Sequence, residues 1–348
     1  NCDKGCTLEW MDTNMTIQEK RMLIDALPLP EDSPRSRSAR AYNVGRVEFL
    51  FRQFDQNHPE GEGQPTLEDV LHQFFGDHAA SYAEIEANQT AWNGNLNDVG
   101  PGVFLGIKLY PPLGFDPWPN GRQEENARKA RVRYLYDFCQ QREIPITVHT
   151  SDGGYKIMDD EMHEQYTSPR RWLPVLQAYP KLRINFAHCG VQGADMSGKH
   201  EWKKTLFEDI LCAMEKPSDM DNLEFEDMLN SPETMPEQIE WNHPNVYSDL
   251  SDLLNTKEAY EEFEKGMSAL DLKPVQWKHL KSRLLFGSDF MINLRESLSY
   301  TEYVSQFTVN HKEVWPDDDS PIKLSDQVLR LKMCTTNPMR FHFGSENL

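Results

Sequence analysis

The 348-residue sequence has few cysteines, no long apolar segment and no excess of positive charge. Six cysteines are far below the density of a disulfide-stapled secreted domain, so we expect reduced thiols and a cytoplasmic location. No run of about 18 apolar residues occurs, which argues against a membrane-spanning helix. The formal net charge of −20 would repel nucleic acids and anionic membranes, so neither is an expected partner.

The first hundred residues differ from the rest because they contain no convincing strand. Apolar residues recur at helical spacing over Val44–Phe54, and Pro/Gly-rich loops lie on either side. Thr66 followed by Asp69 predicts a capped helix start, with the helix running towards Glu86. We therefore divide the chain into a helical, loop-rich segment over 1–100 and an α/β domain over 101–348.

After residue 102, short apolar runs alternate with helical segments, and each run ends in a polar or ionisable residue. These terminal residues predict five strand ends, namely Tyr110, His149, His188, Asp249 and Asp289. They lie 39, 39, 61 and 40 residues apart, which indicates repeated strand–helix units with one insertion.

Helices are predicted between these strands. One covers 122–142, a second opens at Ser168 and Pro169, and a long acidic one covers 202–238. The acidic run Asp159–Glu164 is interpreted as a solvated loop.

Two architectures fit such repeats. A doubly wound open sheet normally carries a Gly-rich phosphate-binding turn after its first strand, and none is present here. A (β/α)8 barrel gathers the carboxyl ends of all its strands at one face, where active sites lie. We therefore predict an α/β fold of the TIM-barrel type, with a helical N-terminal segment, insertions and an incomplete set of N-terminal strands.

Two histidines and an aspartate at predicted strand ends suggest a metal site. His149, His188 and Asp289 offer imidazole and carboxylate donors, which suit zinc and also manganese or iron. A single histidine at a strand end is more often a hydrogen-bonded structural residue. Three such residues at one predicted face favour the metal site instead.

Several strand-end motifs together resemble a known family. In chain order they are Gly106–Pro112, the run ending in His149-Thr150, Asn185–Gly190, Asn245–Asp249 and Phe286–Asp289, followed by Asn337–Phe341. This series resembles the amidohydrolase superfamily, in particular its amidohydrolase-related branch of metal-dependent barrel hydrolases and decarboxylases. The resemblance covers residues 102–343.

The resemblance implies a role for particular residues. His149 matches a metal ligand, and Asp289 matches a metal ligand that also serves as general base. His188 matches a histidine that polarises the substrate or lies close to the metal. Lys108 and Tyr110 are the expected substrate-binding residues, whereas Asp249 is expected to be structural. The implied cofactor is one divalent ion, with zinc as the first choice and manganese and iron as alternatives.

The sequence departs from the family pattern at its start. The family begins with a His-x-His motif that supplies two ligands, and no such motif occurs in these 348 residues. Three functions therefore stay open. The first is hydrolysis of a C–N or C–O bond in a small polar substrate by a metal-activated water. The second is decarboxylation of a small aromatic or unsaturated acid, and the third is a non-catalytic role. A small-molecule substrate is the expected partner, with self-association into a homo-oligomer left open.

Overall fold

The computed structural model of the chain describes most of the predicted α/β domain. The described residues are 66–78, 81–93, 100–120, 126–154, 157–192, 201–253, 265–287 and 326–344, with single positions at 263, 289, 301, 303, 304, 322 and 324. The helix predicted over Val44–Phe54 lies outside the described residues, and the proposed domain boundary near residue 100 stays a prediction.

The centre of the fold is a parallel sheet whose strands follow one another in chain order. The strands are β1 (Ile107–Leu109), β2 (Ile146–Ser151), β3 (Ile184–Val191), β4 (Val246–Asp249) and β5 (Leu284–Leu285). Each predicted strand is therefore present, although several are shorter than the apolar runs that predicted them. In register, Ile107 pairs with Ile146, Ile146 with Ile184, and Ile184 with Val246.

Helices connect and cover the strands. They are α1 (Leu67–Phe75), α2 (Tyr82–Ala91), α3 (Asn126–Gln141), α4 (Asp160–Thr167), α5 (Leu173–Ala178), α6 (Glu201–Lys204), α7 (Asn222–Asn230), α8 (Pro274–Lys281), α9 (Gln327–Cys334) and α10 (Thr336–Phe343). Short 3-10 turns cover Pro111–Leu113, Pro169–Trp172 and Pro236–Gln238. Among the described helices, none combines the length and the apolar character needed to cross a bilayer.

Local sequence signals explain several helix starts. The Thr66 side chain accepts a hydrogen bond from the Asp69 backbone N–H, and Asp69 bonds back to Thr66, which completes the predicted capping box. The helix ends at Phe75 rather than continuing to Glu86. Ser168 caps the turn that leads into α5, as predicted.

Two helical predictions need correction. Asp159 accepts a hydrogen bond from the Met162 backbone N–H and so caps α4, which makes the predicted acidic loop a helix. The acidic segment 202–238 is not one long helix. It continues from α6 into a π-helix over Thr205–Leu211, breaks, and resumes in α7.

Side chains alternate between the two faces of the sheet, and this alternation separates core from site. Residues of one face are almost completely buried and pack towards the helices, including Ile146, Val148, Ile184, Phe186 and Val246. The opposite face is polar. Lys108 pairs with Thr147, and Thr147 pairs with Asn185, so these residues share that second face. His149 lies two residues beyond Thr147 and therefore on the same face.

The described strands form a mixed α/β fold that is compatible with a TIM-like barrel. Their order, β1-β2-β3-β4-β5, does not reverse within the described sheet, whereas a doubly wound sheet reverses at its switch point. The order therefore favours the barrel over the open sheet. Closure of the sheet into a barrel stays a prediction.

Candidate active site at the carboxyl ends of the strands

The polar face of the sheet ends in a group of ionisable side chains, which we call the mouth: Lys108, Tyr110, His149, His188, Asp249 and Asp289. All six were predicted at strand ends or beside them. His149 and His188 have ring centroids 4.8 Å apart in an edge-to-face contact. The pairing of β2, β3 and β4 thus places residues that are far apart in sequence next to one another.

His149 is held as a neutral, buried imidazole. Only 5% of its surface is exposed, and its ring stacks on Tyr110 with centroids 4.3 Å apart. Burial, with smaller contributions from nearby His188 and Lys108, lowers the pKa of His149 to about 3. Its Nε2 lies 3.2 Å from the Gly153 carbonyl oxygen, which can only accept a hydrogen bond. The proton is therefore on Nε2, and Nδ1 carries a lone pair.

His188 is oriented from behind by Ser251, which follows β4. The His188 Nδ1 lies 2.9 Å from the Ser251 carbonyl oxygen and 3.1 Å from its hydroxyl oxygen. Its backbone takes a left-handed conformation with φ of 66°, and Cys189 (49°) and Asp289 (55°) do the same. Non-glycine residues adopt this conformation at a cost, and such positions cluster at functional sites.

Asp249 is buried and fully hydrogen-bonded. Its Oδ2 accepts from Asn185 at 2.6 Å, and its Oδ1 accepts from the backbone N–H groups of Ser251 at 3.0 Å and His188 at 3.2 Å. The Ser251 hydroxyl also donates to Oδ1. Burial raises the pKa of Asp249, but the proximity of His188 and the hydrogen bonds from Ser251 and Asn185 outweigh it, so the pKa falls below its usual range. Asp249 is therefore ionised.

Lys108 brings a cation to the mouth. Its side chain remains accessible to water, while the surrounding protein lowers its pKa by desolvation and the charges of Asp249 and Asp289 partly oppose this shift. The Lys108 side chain is exposed, and its electrostatic neighbours are the carboxylates of Asp249 and Asp289.

Two residues of this site were missed by sequence reasoning. Ser251 and Asn185 bond to Asp249, yet neither ends a predicted strand. Ser251 had a local signal, because the side chain of an Asp often accepts a hydrogen bond from the backbone N–H two residues later in a turn. Asn185 had no such signal, since its contact depends on the pairing of β3 with β4.

The donor chemistry of the two imidazoles suits a divalent ion. His149 Nδ1 is buried and meets no hydrogen-bond partner among the described residues. His188 donates Nδ1–H to a backbone carbonyl, the arrangement that usually orients a metal-binding histidine. A catalytic zinc takes about three protein ligands. Within the described residues, however, no three His, Cys, Asp or Glu side chains are grouped to hold an ion, so the fit rests on the imidazoles.

Of the histidines earlier in the chain, His72 and His78 do not complete this set, and His58 lies outside the described residues. His72 lies on α1 and packs edge-on against Phe138, with ring centroids 5.2 Å apart. His78 lies close enough to Arg183 and His342 for their charges to interact with it, and Arg183 precedes β3 at the end opposite the mouth.

Comparison with known proteins supports the resemblance described above. Residues 97–210 match the family described as Amidohydrolase. This segment carries β1, β2 and β3, and with them Lys108, His149 and His188. This segment is similar to the amidohydrolase-related superfamily, whose members are generally hydrolases or decarboxylases. The match covers about a third of the chain, and Asp249 and Asp289 lie beyond it. No curated protein and no solved structure gave a significant match.

Proposed function

We propose that the protein is a metal-dependent hydrolase that cleaves a C–N or C–O bond of a small polar substrate. The observation that carries this proposal is the pair of imidazoles at the mouth, His149 and His188, each with one ring nitrogen engaged by a backbone carbonyl and the other available. This pair lies in the segment that matches the amidohydrolase family.

Each residue of the mouth has a chemical part in this proposal. His149 and Asp289 would hold a divalent ion, and such an ion would supply a water that loses its proton near neutral pH. The Asp289 carboxylate would accept that proton as general base. His188 stabilises negative charge that develops on the attacked carbonyl. Lys108 and Tyr110 bind and orient the substrate.

The first test is metal content by elemental analysis. We expect about one zinc, manganese or iron ion per chain in the purified protein, and loss of the ion in His149→Ala because a buried imidazole donor disappears. His72→Ala is the matched control, since that histidine lies on α1 away from the mouth, and it should retain the ion. Failure of the folded wild-type protein to take up any of the three metals after reconstitution would contradict the proposal.

Decarboxylation of a small aromatic or unsaturated acid is the second candidate, and the exposed Lys108 favours it. Its ammonium group can bind a substrate carboxylate near the aromatic ring of Tyr110, two residues along the chain. Release of CO2 from a panel of such acids, lost in Lys108→Met, would select this reaction. Ester or amide cleavage without CO2 release would select hydrolysis.

A further inference from the structure

The link from Asp249 through Ser251 to His188 has a fixed direction of hydrogen bonding. Asp249 is ionised and so can only accept. Its Oδ1 takes the single hydroxyl proton of Ser251. The Ser251 oxygen, 3.1 Å from His188 Nδ1, has no second proton and can only accept from that ring. The Ser251 carbonyl, at 2.9 Å, is likewise an acceptor. Both neighbours of Nδ1 therefore require a proton on it.

We propose that Asp249 and Ser251 are positioning residues, which fix His188 in the tautomer with its proton on Nδ1 and its lone pair on Nε2. This inference rests on the proposed function, because it concerns the histidine beside the predicted metal ligand. The proposal assigns Asp249 a role in orienting His188, whereas the sequence predicted only a structural role for Asp249.

The same carboxylate also holds the backbone of His188. The His188 N–H donates to Asp249 Oδ1, and the neighbouring Cys189 thiol donates to the Asp249 carbonyl at 3.1 Å. Both residues have left-handed backbone conformations, which need support from surrounding bonds. Asp249 thus restrains His188 at the main chain and, through Ser251, at the ring.

A purely structural explanation accounts less well for this arrangement. Asp249 is only 7% exposed, and burying a charged group there requires several hydrogen bonds as compensation. All but one of the compensating donors belong to His188 or to Ser251, the residue that faces its ring, so the compensation is directed at His188. The charge of Asp249 also orients the Ser251 hydroxyl proton away from His188.

The tautomer has a chemical consequence for the reaction. A neutral His188 with Nδ1 protonated offers only a lone pair at Nε2, so it can hold an ion or accept a proton. It can donate a hydrogen bond to a negatively charged oxygen only after Nε2 has received a proton. His188 would therefore have to receive at Nε2 the proton that Asp289 takes from the water, which returns Asp289 to its carboxylate form, before it could donate a hydrogen bond to the oxyanion.

Asp249→Leu tests the proposal because it keeps the approximate size of the side chain and removes the acceptor that holds the N–H and the hydroxyl of Ser251. Ser251 is then no longer anchored beside the ring, and its hydroxyl proton is free to point at His188 Nδ1. We expect the ring to leave the single Nδ1–H form and to populate the Nε2–H tautomer as well. In 15N spectra of protein with labelled histidine, assigned with His188→Gln, Nδ1 should change from pyrrole-type towards pyridine-type. Asp271→Asn, on the exposed surface, is the control and should leave the spectrum unchanged.

The measurement is made on metal-free protein at a pH where the imidazoles are neutral, and it needs no substrate. A pyridine-type Nδ1 in the wild-type protein overturns the proposal even if the variant does not fold. An unchanged single tautomer in folded Asp249→Leu also overturns it. If the tautomer changes as expected but no hydrolysis is found, the positioning role stands and the proposed function fails.

Kinetics give a second, independent readout. With a substrate identified, Asp249→Leu should lower kcat by about 10- to 100-fold with little change in KM, because orientation rather than substrate contact is lost. Ser251→Thr keeps the hydroxyl and should restore most of the kcat that Ser251→Ala loses. Equal losses in the Thr and Ala variants, with both folded, would contradict a role for the hydroxyl.

Discussion

At the scale of single residues, Gly154 packs closely against the stacked side chains of His149 and Tyr110. Its φ is 89°, and a Cβ atom there would lie 2.4 Å from the Tyr110 hydroxyl and 3.3 Å from the His149 ring. We expect Gly154→Ala to destabilise the fold by about 1–2 kcal/mol. We also expect it to displace the Tyr110 ring from its stacked position on the His149 imidazole. Chemical unfolding measures the first effect, and loss of substrate affinity reports the second.

The neighbouring glycine provides the matched control. A Cβ on Gly153 would meet only the Ser151 hydroxyl at 3.4 Å, and its φ is not in the left-handed region. Gly153→Ala should therefore leave stability within about 0.5 kcal/mol of the wild type. Equal effects of the two substitutions would show that the approach of Gly154 to Tyr110 is unimportant.

Residues at the mouth were predictable where a strand led directly to them. His149 and Asp249 end apolar runs, so the parallel sheet predicted from those runs brought them together. Ser251, Gly154 and Asn185 were not predictable in this way. Their roles come from contacts between different strands and loops, which local patterns do not encode.

At the scale of elements, Asn337 ties α10 to the sheet. Its side-chain amide donates to the carbonyls of Lys281 at 3.0 Å and Leu284 at 2.8 Å, and the residue is fully buried. Asn337→Ala would leave both carbonyls without this donor. We expect a loss of about 2 kcal/mol in the free energy of unfolding, measured by denaturant titration.

An exposed asparagine serves as the control for this substitution. Asn230, at the end of α7, bonds only to Glu226 on its own helix. Asn230→Ala should change stability by less than about 0.5 kcal/mol. If Asn337→Ala had an effect this small, the C-terminal helix would be held by its apolar contacts alone, such as Phe341 against Tyr247.

Elements were predicted well where they are short and bounded by clear signals. The five strands and the caps at Thr66 and Ser168 belong to this group. The segment 202–238 was predicted poorly, because its helical composition does not reveal the π-helix over Thr205–Leu211 or the break before α7. Tertiary packing of the buried face decides the hydrogen-bonding pattern there.

At the scale of the whole molecule, several buried histidines link stability to pH. Burial lowers the pKa of His342 to about 4 and, with help from the Arg283 charge, that of His279 to about 2, against an ordinary value of 6.5. Below about pH 6.5 the unfolded chain binds protons that the folded chain does not. Stability should therefore fall with decreasing pH, by about 1.4 kcal/mol per pH unit for each such histidine.

His279→Phe tests this dependence. The ring of His279 stacks on Trp241 with centroids 3.8 Å apart, and phenylalanine preserves that contact while removing the titrating group. Between about pH 6 and pH 4 the slope of unfolding free energy against pH should decrease by about 1.4 kcal/mol per unit. His72→Phe, on the exposed side of α1, should leave the slope unchanged. A wild-type profile that is flat from about pH 7 to pH 5 would refute the linkage.

The consecutive pairing of β1 to β5 has a consequence for synthesis of the chain. Each of these strands binds the strand made just before it, so no described strand has to wait for a distant partner. The sheet can therefore extend in one direction as the polypeptide leaves the ribosome. Since β2 and β3 carry both imidazoles of the mouth, that pair can form before Asp249 has been translated.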